Sequence, residues 1–264
     1  MNRPPDFNRL ARLYQWMEFF TFGPWLSLTR FTFVSRLTRS RRALVLGDGD
    51  GRFAACLLRA NRGVLIDAVD ASDAMLQGLL RRAASHGDRV TVHLADARGW
   101  QLSETGLGPR CDLIATHFFL DCLTQQEVES LAARLRSAVS PSALWVVSEF
   151  AIPAGWFGRL AARPLVAILY RSFGLLTGLT VRSLPDHAFA LRRAGFILQE
   201  RRARLAGLLI AELWCAGPPN PELQAAERNG SLGEIGEVHP SGAEAHADSA
   251  VLAARDPEGA PAVP

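Results

Sequence analysis

The chain contains no lysine: all 29 of its basic residues are arginine, set against 26 acids for a formal net charge of +3 over 264 residues. Those arginines are scattered, and the aromatics lie in apolar runs rather than between basic residues. That is the pattern of a solvated surface, and no nucleic-acid partner is expected. Cysteine is scarce as well. The four present (Cys56, Cys111, Cys122, Cys215) form no CxxC or CxxxC pair, so neither a metal site nor a disulfide framework is expected, and a reducing cytoplasm fits. No run of about 18 apolar residues occurs, because Arg159, Arg163 and Arg171 interrupt one candidate and Glu18 and Pro24 the other. The opening MNRPPDFNR puts an acid and two prolines where a signal peptide needs its apolar stretch. These features exclude a spanning protein and leave peripheral contact with a membrane open.

Charge and composition divide the chain. From Gly217 onward two arginines (Arg228, Arg255) face eight acids, seven of the 15 prolines occur, and there is no aromatic residue. Such a stretch cannot bury enough apolar surface to offset its ordering entropy, so residues 216–264 are expected to be a disordered acidic tail. The remainder carries 27 arginines against 18 acids, and with 48% hydrophobic residues in the whole chain it suits one large α/β domain over 41–215.

Within 41–215, short apolar runs alternate with helix-period stretches, the signature of a parallel sheet with crossover helices. Strands are predicted at Ala43–Gly47, Val64–Asp70, Val90–Asp96, Cys111–Phe119 and Ala143–Phe150. Helices are predicted at Phe53–Arg62 and Ala74–Ser85, and from the capping box Thr124/Glu127 to about Ser137. Ser183 and Asp186 repeat an S-x-x-D signal before a helix that Gly195 should stop, and Phe196–Arg204 and Ala206–Cys215 would close the sheet as a hairpin around Leu205–Gly207. The fold class expected is therefore α/β: a Rossmann-like, seven-stranded, mostly parallel sheet with helices on both faces and a C-terminal antiparallel hairpin. Two segments stand outside this frame, an aromatic-rich helical stretch over 1–40 and an apolar insertion over 151–182. Each is either a lid over a pocket or an ordinary helix packed on the sheet.

The chemistry lies at the strand ends. In LVLGDGDGR, where the first strand turns into the first helix, Gly47, Gly49 and Gly51 allow a tight turn and a close backbone approach to a ligand. The spacing is G-x-G-x-G, and Arg52 stands where a dinucleotide fingerprint needs its third glycine. Nineteen residues beyond Gly51, Asp70 ends the second strand, where a carboxylate can accept both hydroxyls of a ribose; capping of the next helix by Asp70 or Ser72 is the competing role. Asp96 and Ala97 end the third strand. In an open parallel sheet these tips converge on one ligand crevice.

Over residues 43–150 the chain resembles class I S-adenosylmethionine-dependent methyltransferases, and more loosely to 215. The resemblance implies S-adenosylmethionine as cofactor, with Gly47, Asp48, Gly49 and Gly51 as the glycine loop, Asp70 and Ala71 at the ribose, and Asp96 and Ala97 at the adenine. The chain departs from that family at Val45, where most members carry an acid that helps hold the methionine end. Asp48 could supply the missing carboxylate to the ammonium group, or, like Asp50, cap the first turn of the helix. In Thr116-His117-Phe118-Phe119, which is not the NPPY-like tetrapeptide of base-methylating enzymes, His117 is either a proton acceptor or a wall of the cofactor pocket. Asp121 either orients that imidazole, binds substrate, or merely precedes the capping Thr124. Glu149, which ends the fifth strand, faces the same crevice.

The expected activity is methyl transfer to an oxygen or carbon atom of a small, apolar acceptor. The aromatic leader, with Tyr14, Glu18 and the following Phe-Gly, loosely resembles that of quinone-ring methyltransferases; Trp156, Phe157 and nearby arginines would then touch a membrane surface. The competing readings are a non-catalytic nucleotide-binding or interaction module, which Val45 favours, and an NAD-linked oxidoreductase, which the glycine spacing disfavours.

Overall fold

The computed structural model describes residues 24–100, 111–153 and 184–218, with single positions between 155 and 164. The first strand shows how sequence pattern becomes architecture. In β1 (Arg42–Leu46) Ala43 and Val45 turn to one face, and Leu44 and Leu46 to the other, with both faces buried. A strand that is apolar from Ala43 to Leu46 must lie inside a sheet covered on both sides. The first cover consists of Phe33, Val34 and Leu37, then α2 (Arg52–Ala60) through Phe53, Leu57 and Leu58, and α3 (Asp73–Arg82) through Leu79. The second cover is α4 (Gln125–Ala138), through Val128, Leu131 and Leu135, and α5 (His187–Arg193), through Ala190 and Leu191; they pack on Leu44, Ile114, Trp145, Val147 and Trp214. Each large apolar side chain enclosed in this way contributes about 1.5–3 kcal/mol.

The other strands are β2 (Leu65–Asp70), β3 (Val90–Leu94), β4 (Leu113–His117), β5 (Leu144–Phe150), β6 (Phe196–Arg204) and β7 (Leu209–Ala216). They form one seven-stranded sheet in the order β3-β2-β1-β4-β5-β7-β6. β1 to β5 are parallel, and β7 runs antiparallel between β5 and β6. The chain winds outward from β1 to β3 and then returns to lay β4 on the other side of β1, so a topological switch point opens above the β1 and β4 ends. The β6–β7 turn uses left-handed backbone at Leu205, Ala206 and Gly207, at the position the sequence predicts. Glu212 of β7 is fully buried, its Oε2 bonded to His187 Nε2 at 3.0 Å and to Trp214 Nε1 at 2.9 Å, which ties the start of α5 to the sheet.

Several boundaries differ by one to three residues from the sequence expectation. The fourth strand stops at His117 rather than Phe119, because Phe118 enters the left-handed region at φ 55° and cannot continue a ladder. Ser183 lies outside the described residues, and Asp186 is itself the N-cap of α5, accepting the Phe189 amide at 2.8 Å. The Thr124/Glu127 capping box forms as predicted. Of the aromatic N-terminal segment, α1 (Pro24–Arg30) and a 3-10 turn at Val34–Leu37 are described, whereas residues 1–23, most of the 151–182 insertion and the tail beyond Pro218 lie outside the described residues. Among the described residues no helix is long and apolar enough to cross a membrane.

Candidate functional site at the switch point

Gly47, Gly49 and Gly51 all have positive φ (64°, 62° and 80°), so the loop after β1 is a run of left-handed turns that L side chains resist. The surroundings of the three differ. A Cβ at Gly47 would fall 2.3 Å from the Phe119 ring, and one at Gly51 would fall 2.7 Å from the Leu79 backbone; at Gly49 the nearest atom is Met75 Sδ at 3.8 Å. The loop is thus packed at its two ends and open in its middle.

The two aspartates inside the loop have separate work. Asp48 is buried, and its Oδ1 and Oδ2 accept the Phe53 and Ala54 amides at 3.2 and 2.8 Å, so its carboxylate caps the first turn of α2. Burial pushes its pKa up to about 6, against the opposing pull of the Arg30 guanidinium. Asp50 instead pairs with Arg82 at 2.6 Å and with Arg52 at 3.2 Å, which anchors the loop to α3.

Asp70 lies beside this loop at the tip of β2. Its Oδ1 accepts the Ser72 amide at 2.9 Å, and the Gly49 and Ala71 amides also bond it; burial nevertheless raises its pKa to about 6. The capping of α3 falls to Ser72, whose hydroxyl accepts the Met75 amide, so Asp70 has no capping duty. Asp96, beyond the end of β3, is exposed and clamped by Arg98, whose Nε lies 2.9 Å from both carboxylate oxygens. That guanidinium holds the Asp96 carboxyl below the usual range. The backbone there is fixed by Arg134, which donates to the carbonyls of Ala97 and Arg98 at 3.0 and 2.7 Å.

On the β4 side the site is closed and polar. His117 is 2% exposed, with Nδ1 2.9 Å from Ser148 Oγ and its ring centroid 4.3 Å from that of Phe53. Ser148 gives its own proton to the Thr29 carbonyl at 3.3 Å, so the imidazole must donate from Nδ1, which leaves Nε2 as a lone-pair acceptor with no partner. Burial, reinforced by Arg30, drives the His117 pKa well below its ordinary value, so the ring is neutral. The orienting group is therefore Ser148 and not Asp121, a correction to one of the roles open to Asp121. Asp121 is buried in the 3-10 turn Leu120–Cys122, its Oδ1 accepting from Cys122 Sγ at 3.4 Å. Glu149 holds the turn after β4: its Oε1 accepts the Phe119 and Leu120 amides at 3.1 and 2.8 Å. The carboxyl is buried near Asp121, and both effects raise its pKa well above the carboxylate range.

Residues 43–142 match the family model described as a methyltransferase domain. Among solved structures, the S-adenosylmethionine-dependent methyltransferase SibL is 21% identical with a TM-score of 0.58, covering 83% of this chain and 64% of its own. The mitomycin 7-O-methyltransferase MmcR is 16% identical with a TM-score of 0.57, covering 79% and 60%. An O-methyltransferase family protein from Burkholderia thailandensis is 15% identical with a TM-score of 0.58, covering 80% and 58%. The chain has the Rossmann-like fold of these methyltransferases. It spans about three fifths of the length of these structures, and at such identities the likeness to them is one of fold. No curated protein matches it in sequence.

In this fold the glycine loop and Asp70 stand together at the β1 and β2 ends, with Asp96 and Ala97 following β3, while His117, Asp121 and Glu149 gather at the β4 and β5 ends. Sequence reasoning missed Ser148 and Arg30. Polar residues closing an apolar strand (Ser148-Glu149) and a cation inside an aromatic run (Arg30-Phe31-Thr32-Phe33) were the available signals. Among the described residues no group of three or more His, Cys, Asp or Glu side chains is placed to hold a metal.

Proposed function

We propose that the protein transfers a methyl group from S-adenosylmethionine to an oxygen or carbon atom of a small, apolar acceptor. The observation that carries this reading is the uncrowded middle of the glycine loop: a Cβ at Gly49, beside Asp70, would come no nearer than 3.8 Å to any atom, while Gly47 and Gly51 are packed. That cradle fits a nucleoside, with Gly49 admitting its close approach and Asp70 and Ala71 meeting the ribose hydroxyls. Asp96 and Ala97 take the adenine edge, and Asp48 offers the amino-acid end its second lone pairs. S-adenosylmethionine supplies an electrophilic methyl on its sulfonium, and the protein's main contribution is to align the acceptor with it. His117, neutral and held by Ser148, takes the acceptor's proton at Nε2, and Asp121 contacts the acceptor. Oxygen as the methylated atom is supported by the O-methyltransferases among the structural neighbours.

Thermal shifts with S-adenosylmethionine, S-adenosylhomocysteine and NAD test the reading. Both sulfur compounds should stabilise the protein and NAD should not; no shift with either sulfur compound would remove the central claim. A non-catalytic binding module is favoured by Val45 and by the capping duty of Asp48, and it would bind S-adenosylhomocysteine yet methylate no acceptor. Contact with a membrane surface is supported by the 72% and 74% exposure of Trp156 and Leu160. Liposomes that leave all protein in the supernatant would count against it. Cytoplasmic residence is supported by four cysteines that are all free thiols.

A further inference from the structure

α1 meets the imidazole end of the site at three points. The Thr29 carbonyl belongs to the last turn of the helix, where carbonyls lack intrahelical partners. It accepts the Thr32 amide at 3.2 Å and the Ser148 hydroxyl at 3.3 Å, and Thr29 is only 1% exposed. Leu26 packs in one buried cluster with Phe118, Leu208 and Leu209, and the Arg30 Cζ lies 5.7 Å from the centroid of the Phe118 ring. Phe118 follows His117 directly, and Ser148 pairs with His117 across β4 and β5, so α1 touches what stands on either side of the imidazole.

A serine hydroxyl has one proton to give. While the Thr29 carbonyl receives it, Ser148 can only accept from the imidazole, and the ring proton stays on Nδ1. With that carbonyl turned away, the hydroxyl is free to rotate and donate to Nδ1, which moves the ring proton to Nε2 and removes the acceptor.

We infer that Thr29 is a positioning residue for methyl transfer: its main-chain carbonyl, acting through Ser148, keeps His117 Nε2 open to a proton, so the base works only while α1 is seated on the sheet. The inference rests on the role proposed for His117 above. As the acceptor atom bonds to the methyl carbon and the electron pair of the broken bond stays on sulfur, the acceptor's proton passes to Nε2. The imidazolium so formed keeps its Nδ1 bond to Ser148. The nucleoside site at the β1 and β2 ends makes no use of Thr29, so binding and proton transfer should come apart.

Nitrogen–proton correlation spectra of the full chain labelled at histidine, with His117→Gln to assign the ring, read which nitrogen carries the proton. In the parent, His117 should be protonated at Nδ1, with the other tautomer below about 10%. Ser148→Ala should raise that other tautomer to about half or more, with affinity for S-adenosylhomocysteine kept within about twofold, and Ser148→Thr, which retains the hydroxyl, should hold the parent state. Arg30→Pro forces Thr29 out of helical backbone and turns its carbonyl away, so it should change the tautomer as Ser148→Ala does, whereas Arg30→Ala should not. Should Arg30→Pro fail to fold, Leu26→Asp, which puts a carboxylate into the apolar cluster under α1, is read in the same way. A parent protonated at Nε2, or the parent tautomer in Ser148→Ala or in the variant that displaces α1, would overturn the inference. A parent that binds S-adenosylhomocysteine with its proton on Nε2 contradicts the role of Thr29 alone. A parent with the Nδ1 proton that binds no S-adenosylhomocysteine removes the methyltransferase reading and the inference with it.

Discussion

The two sides of the switch point are built differently. At the ends of β1 to β3 the functional groups are backbone turns and carboxylates fixed by near neighbours in sequence: Asp70 by the Ser72 amide, Asp96 by Arg98, and Asp48 by Phe53 and Ala54. At the ends of β4 and β5 they are buried side chains fixed across long stretches of chain. Ser148 reaches Thr29, Glu149 reaches Phe119 and Leu120, and Phe118 holds a left-handed conformation that costs about 1–3 kcal/mol. The first side presents charge at an open edge. The second keeps its polar groups buried and its imidazole neutral, as the proposed apolar acceptor and proton-accepting His117 require.

Substitutions can separate the sides. The largest effect is expected within the glycine loop, where Gly51→Ala drives a Cβ into the Leu79 backbone and should lower unfolding free energy by more than about 3 kcal/mol. Gly49→Ala makes only an ordinary contact with Met75 Sδ and should lower it by only about 1–2 kcal/mol, the left-handed penalty, while abolishing the thermal shift with S-adenosylhomocysteine. Denaturant titrations with and without ligand read both. Glu149→Leu comes next. It orphans the Phe119 and Leu120 amides and should cost about 2 kcal/mol by denaturant titration, with nucleoside affinity kept and methyl transfer lost.

Acidity should act mainly on the open side. Asp48 and Asp70 have pKa values near 6, above their unfolded value of 3.8, so the fold favours their protonated forms. Stability should therefore fall as pH rises from about 4 through 6, and carboxylate contacts to a ligand should be complete only above 6. Affinity for S-adenosylhomocysteine is expected to drop about tenfold between pH 7 and pH 5, and a flat calorimetric profile would contradict this. The smallest effect belongs to Arg98→Ala. Its pair with Asp96 is largely exposed, so releasing that carboxylate should raise nucleoside affinity by less than about fivefold, a gain that added salt would mimic in the parent.

What could be read from the sequence follows the same division. The places of the loop, Asp70 and Asp96 at strand ends were legible because each closes an apolar run. Parallel strands and the closing hairpin were legible from period and turn residues. His117 could be placed at a strand end, but its tautomer could not, since that depends on Ser148, 31 residues later, and through it on Thr29. The early stop of β4 depends on the Phe118 backbone, and the burial of Arg30 on how α1 meets β5 and β7; neither is a local property.

The central claim is that β1 and β2 end in a nucleoside site for S-adenosylmethionine, and calorimetric titration of S-adenosylhomocysteine into the parent and Asp70→Asn proteins tests it most directly. One-site binding in the parent, weakened at least about tenfold in Asp70→Asn without loss of thermal stability, is the predicted result. Absence of binding in the parent, or equal affinity in both, would contradict it.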